Sequence, residues 1–253
     1  MPDRTNLIYS YDGTYDGFLC CVFESVYQRE IPAAIELFGE EQATLFPVKE
    51  IYTDPEKARR VKESIPKKIS LEAKETVEKA FLTNMRNKEL HMLKFMLLGY
   101  RVGRKVTEML DNDEVDIVKK AVLFLGREAH LTLEFIRFSD YGGVLMSEIT
   151  PKNNVLPLIA AHFCGRFSGE TFMIYDKTHK IALVHQNGAH EFINVEHLEP
   201  PEAGPEEERY RALWRKFYDT IGIEGRYNPR CRMNHMPKRY WKNMTEFQGP
   251  GRG

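Results

Sequence analysis

The stretch Pro151 to Asp176, PKNNVLPLIAAHFCGRFSGETFMIYD, limits the possible folds more than any other part of the chain. Asn153 or Asn154 can cap a helix there, because a short side-chain oxygen accepts an orphan N–H of the first turn. Leu156, Ile159, Phe163 and Phe167 then repeat at helical spacing and make an apolar stripe that must pack on something, most economically a sheet. Phe163 and Phe167 are therefore expected in the core. Strand signals lie on both sides. Phe135, Arg137 and Ser139, then Val144, Met146 and Glu148, alternate around an Asp140–Gly143 turn. Thr171–Tyr175 and Ile181–Gln186 read as two more strands across a turn at Asp176–Lys180. The order strand, strand, helix, strand, strand predicts a small, mainly antiparallel sheet with a helix on one face.

The chain before this stretch reads as mostly helical. Leu7–Tyr11 predicts a short strand, followed by an Asp12-Gly13 turn and a helix capped by Thr14 or Asp16. That glycine turn at a helix N-terminus is either a tight turn with its cap or a place for an anion. Ile31–Leu45 carries no clear pattern, and Phe46–Thr53 reads as a strand. Asp54-Pro55-Glu56 opens a helix expected to stop before Pro66, and Ser70 opens another. Helical spacing continues through Leu82–Tyr100, with a break near Asn87 and a bend at Gly99–Gly103. A further helix follows the Asp111–Asp113 cap. The expected architecture is α+β: a mostly helical region over residues 1–130, then an α+β region over 131–253, in one continuous globular unit. Glu206–Tyr218 predicts a last long helix, followed by a C-terminal basic strap that Pro229 and Pro237 hold extended.

Charge is balanced overall but not along the chain. From Glu191 to Glu208 every charge is acidic; from Gly225 to Lys242 every charge is basic, supplied by Arg226, Arg230, Arg232, Lys238, Arg239 and Lys242. Such asymmetry points to a partner. No apolar run approaches a membrane span, and the N-terminus lacks a signal peptide's apolar core, so the expected location is the cytoplasm. Cys20, Cys21, Cys164 and Cys231 form no CxxC and no disulfide framework.

Several chemistries are weak in this sequence. His179 and His185 share strand parity but lack carboxylates or thiolates nearby, and Cys231 with His235 is at most half a zinc site, so no metal is expected. Cys164 cannot pair with His162 through neighbouring helical positions. General acid/base work by His162, Glu128 or Asp176 remains open, since each can lie near the sheet. Arg166 sits one turn from His162 and Arg137 on a flanking strand, so both can join a binding surface. The basic strap fits nucleic acid best, with arginines and lysines on phosphates and Tyr240 or Trp241 stacking on bases. The rival is internal: Arg226 and Arg239 pair with buried carboxylates and the aromatics are core.

A resemblance extends these readings. Tyr11-Asp12-Gly13 with Asp16-Gly17-Phe18-Leu19, Phe135-Ile136-Arg137-Phe138, Pro151, His162-Phe163 with Arg166-Phe167, and Ile174-Tyr175-Asp176 carry it. So do Ile223, Arg226, Asn228-Pro229, Met236-Pro237 and Arg239-Tyr240-Trp241. Together they resemble an uncharacterised bacterial family described as DNA metabolism proteins. Genes of that family commonly accompany a radical-SAM protein assigned to DNA repair, and a related domain is fused to some uracil-DNA glycosylases. The resemblance implies an accessory nucleic-acid-binding protein working on DNA, single- or double-stranded, with a radical-SAM partner. Two alternatives stand beside it: an enzyme acting on a nucleobase or nucleotide in a cleft near His162, and an interaction subunit without nucleic-acid contact. The chain has neither the CxxxCxxC motif of a radical-SAM enzyme nor a uracil-DNA glycosylase loop, so no cofactor of its own is expected.

Overall fold

The computed structural model describes residues 3–39, 45–199, 202–221 and 228–247. The chain forms two compact units, Met1–Leu125 and Gly126–Gly253.

The first unit is built on three parallel strands. The elements in order are β1 (Asp3–Arg4), β2 (Ile8–Tyr11), α1 (Tyr15–Gln28), β3 (Glu30–Ile31), β4 (Ala34–Leu37), β5 (Val48–Ile51), α2 (Pro55–Lys68), α3 (Leu71–Phe81), α4 (Lys88–Val102) and α5 (Asp113–Phe135). The division between the units falls within α5. Strand β2 lies between β4 and β5, parallel to both, and all four of its residues are buried, as parallel strands covered on both faces require. The Thr14 hydroxyl accepts the Gly17 N–H, while the Asp12 carboxylate accepts from the Thr14 N–H, the Thr14 hydroxyl and the Thr53 hydroxyl. The turn is thus a capped turn filled by the protein's own carboxylate. Gly17 leaves room for this arrangement: a Cβ there would lie 2.2 Å from an Asp12 carboxylate oxygen and would displace it.

Two expectations fail here for physical reasons. Helix α2 does not stop before Pro66 but runs on to Lys68. The proline costs one helical hydrogen bond, yet the turn around it buries Ile65 and Ile69, and the Ile69 N–H still reaches the Ile65 carbonyl. Strand β4 lies in the stretch Ile31–Leu45 that showed no pattern; its four residues pair in parallel with β2, a long-range contact that leaves no local signal. The break near Asn87 is present: Asn87 has φ 51° and precedes α4. The bend falls at Gly103 (φ 68°), since Gly99 stays helical.

The second unit carries a mixed five-stranded sheet in the order β10-β9-β8-β7-β6. Its elements are β6 (Ser139–Asp140), β7 (Val144–Ile149), α6 (Leu156–Arg166), β8 (Thr171–Asp176), β9 (Ile181–Gln186), β10 (Ala189–Asn194), α7 (Pro205–Thr220) and α8 (Pro229–His235). Two 3-10 turns follow, Lys238–Asn243 and Thr245–Phe247. Strands β7 and β8 are parallel, joined through α6, and the other pairings are antiparallel. The α+β class and the mainly antiparallel sheet are as expected, with β10 in addition.

Phe163 of α6 is buried and meets an aromatic cluster. Phe138 lies edge-on to Phe163, Phe167 and Phe172, and His185 stacks on Phe172 with 4.9 Å between ring centroids. Phe167 is half-buried. Neither expected asparagine caps α6. Its N-cap is Val155, and the Asn153 side chain and N–H are both directed at Glu128.

Candidate nucleic-acid interface

The C-terminal segment is not an extended strap. Pro229 takes the first position of α8, where its missing N–H costs nothing, and the Asn228 side chain caps the helix by accepting the Cys231 N–H. Arg226 lies outside the described residues.

Two buried carboxylates hold this segment to the unit. Glu128, on α5, accepts the Lys152 and Asn153 N–H groups, the Asn153 amide, and the Arg239 guanidinium at 3.3 Å. Glu246, in the segment itself, is 1% exposed and accepts Arg137 at 2.7 and 3.3 Å and the Trp214 indole N–H at 3.2 Å. The arrangement is reciprocal: an acid of the body takes an arginine of the segment, and an arginine of the body takes an acid of the segment. A carboxylate this deeply buried is tolerated only when paired and hydrogen-bonded. The segment's aromatics are engaged too. Trp241 stacks on Phe247 with 4.4 Å between centroids and donates its indole N–H to the Met236 carbonyl. Tyr240 packs on Phe135 and accepts a hydrogen bond from Arg239, and burial pushes its phenol pKa up. Arg232 and Lys238 lie over the Trp241 ring.

These contacts divide the expected binding residues. Arg137, Arg239, Tyr240 and Trp241 have internal partners that fix the segment in place. Arg230, Lys238 and Lys242 are exposed on its surface, Lys238 with its ammonium over the Trp241 ring, and Arg239 is itself exposed beside its carboxylate partner. Arg166 is exposed on α6 with its guanidinium 5.8 Å from the Phe167 ring. The acid/base candidates stay apart, none being a partner of another. His162 is exposed and edge-on to Phe163, and Glu128 is committed as above. Asp176 closes the β8–β9 turn by accepting the Thr178 and His179 N–H groups and the His179 ring at 2.6 Å. Among the described residues no group of three or more His, Cys, Asp or Glu is placed to hold a metal. No helix among them is long and apolar enough to cross a membrane.

Beside the segment lies a polar pocket of about 220 Å³. Lys242, Asn243 and Thr245 line one side, and Ser139, Tyr141, Ser147 and Glu148 of the sheet edge line another. Arg211 of α7 reaches the Ser139 and Tyr141 hydroxyls. Its partner Glu207 also accepts the Asp140 N–H. Burial opposes ionisation of Glu207, but hydrogen bonds from Ser139, Arg211 and that N–H outweigh it and lower its pKa. The Ser147 hydroxyl and one Glu148 oxygen are buried without a hydrogen-bond partner. Sequence reasoning missed this pocket and Glu246. Glu246 did leave a signal: it is the lone acid between Gly225 and the end of the sequence.

The fold and site define an α+β protein whose basic C-terminal segment is held to α5 and the stretch just after it by ion pairs on two buried carboxylates. The chain belongs to the family described as a domain of unknown function, DUF4130, whose model matches residues 86–246. No curated protein matches it. Among solved structures it is similar to a pGpG-specific phosphodiesterase, PggH from Vibrio cholerae, at 12% identity, covering 72% of this chain and 81% of that one with a TM-score of 0.32.

Proposed function

We propose that this protein binds nucleic acid through the outward face of its docked C-terminal segment, as an accessory component of a DNA repair or modification system. One observation carries the reading. Between Asn228 and Thr245 the chain has lysines and arginines and no acid, and Arg230, Lys238 and Lys242 stay exposed on a segment held in place by buried carboxylates. Fixed cations present their charge to a phosphate backbone at less entropic cost than a loose tail does. The radical-SAM partner belongs to this reading through the resemblance carried by the motif residues.

The test is fluorescence anisotropy with single- and double-stranded oligonucleotides across a salt series. Binding should weaken steeply with salt, and Arg230→Ala or Lys238→Ala should each reduce the salt slope by about one. No binding at low salt, with or without the partner, would end the reading. A second reading, action on a nucleobase or nucleotide, is favoured by the polar pocket and its unpartnered Ser147 hydroxyl, and not by His162. It requires that Ser147→Ala weaken binding of a mononucleotide while leaving the melting temperature unchanged.

A further inference from the structure

The two edges of the second unit's sheet are treated differently. Strand β6 has two residues, and the Asp140 N–H is taken by the Glu207 carboxylate. That edge is short and covered. Strand β10, AHEFIN, has six residues, all of them exposed, and forms the other edge. It carries none of the usual protections of an open edge: no proline, no lysine and a single charge, Glu191. Phe192 and Ile193 are 44% and 40% exposed, one on each face.

The register fixes which backbone groups are available. The β9–β10 hairpin turns through Asn187-Gly188, both at positive φ, so Gln186 and Ala189 close it as a hydrogen-bonded pair. At the far end the Val195 N–H bonds the Lys180 carbonyl. Odd-numbered residues of β10 therefore bond to β9. His190, Phe192 and Asn194 turn their N–H and C=O groups outward, where no described strand takes them.

We infer that β10 pairs antiparallel with β10 of a second copy of this chain, joining two five-stranded sheets into one across a two-fold axis. The strand is self-complementary in one register. With Phe192 opposite Phe192 of the second copy, His190 falls opposite Asn194, and every outward backbone group between them finds a partner. In the same register Glu191 faces Ile193, so no like charges meet, and the two phenylalanines form a cross-strand aromatic pair. A two-fold contact of this kind closes on itself and leaves no further edge to propagate.

Sedimentation equilibrium of the full chain over a concentration series tests this. The wild type should dimerise, with the His190, Phe192 and Asn194 amides protected from hydrogen exchange in a concentration-dependent way. Phe192→Pro removes only an outward N–H, leaves the ladder to β9 intact, and should give a monomer. Phe192→Lys places two lysines opposite each other and should raise the dimer dissociation constant at least about tenfold at low salt, less at high salt. Because Phe192→Lys keeps every backbone donor, it still reports if the proline variant misfolds. A wild type that is monomeric throughout, including one whose β10 pairs only with a foreign strand, would overturn the inference. So would a dimer that survives both substitutions.

Discussion

Arg137→Met tests whether the C-terminal segment is held by its buried pair. The substitution keeps the apolar stem of Arg137 and removes the guanidinium. Glu246, 1% exposed, would lose its two arginine hydrogen bonds at 2.7 and 3.3 Å while keeping the Trp214 indole. Breaking a buried ion pair by removing one partner costs up to about 3–5 kcal/mol. That is a large share of the about 5–15 kcal/mol that stabilises an ordinary domain. The double variant Arg137→Met with Glu246→Leu should behave differently. Replacing a whole buried pair with apolar groups is often neutral, and Trp214, 40% exposed, can turn its N–H to water. The double variant should therefore recover most of the loss, with a coupling energy of roughly 2 kcal/mol or more. Urea unfolding followed by tryptophan fluorescence measures all three variants. A single variant within about 0.5 kcal/mol of wild type, or additive losses in the double, would refute the role given to this pair.

Two other perturbations report on the same unit. Phe163→Ala removes a ring that is 3% exposed between Phe138 and Phe167, and should cost about 3–5 kcal/mol in the same assay; an unchanged melt would contradict its core placement. Glu207 makes a pH prediction. Its folded pKa is depressed, so the unfolded chain, titrating near about 4.3, binds the proton more readily. The stability Glu207 contributes is fully present above that unfolded value and is lost as pH falls through the lower folded pKa. Glu207→Gln should remove this part of the acid loss, seen as a shallower fall of melting temperature below pH ~4 than in wild type; parallel profiles would show the carboxylate contributes nothing.

What could be read from the sequence follows from how local the cause is. The α6 stripe, the strands from Val144 onward and the Asp54-Pro55 helix start depend on neighbours in the chain and are present, whereas the strand expected from Phe135 shrinks to Ser139–Asp140 because Phe135 ends α5 and Arg137 lies between the two. The Asn187-Gly188 hairpin turn is equally local and marks a strand after it, although Ala189–Asn194 has no alternation of its own to show β10. Pro66 within α2 was not readable, because only burial of Ile65 and Ile69 makes that turn favourable. The Asn153 side chain is the same case in reverse. Capping is a local preference, but Glu128, twenty-five positions away in the sequence, offers a buried carboxylate instead.

The basic segment shows why the site was only half legible. A run of one charge sign interleaved with aromatics reads alike whether its side chains face solvent or the protein. Residue type could not separate Arg239 from Arg230, since one finds Glu128 and the other does not. The deciding groups are two carboxylates at opposite ends of the unit's sequence, and their pairing is visible only once the chain is folded. That division gives the binding proposal its form. Arginines committed to Glu128 and Glu246 set where the segment lies, and the exposed Arg230, Lys238 and Lys242 set what it can attract. Substituting the first group should lower stability and, through it, any affinity. Substituting the second should lower affinity and salt slope with the fold intact. Melting temperature and anisotropy measured on the same variants therefore separate holding from binding, residue by residue.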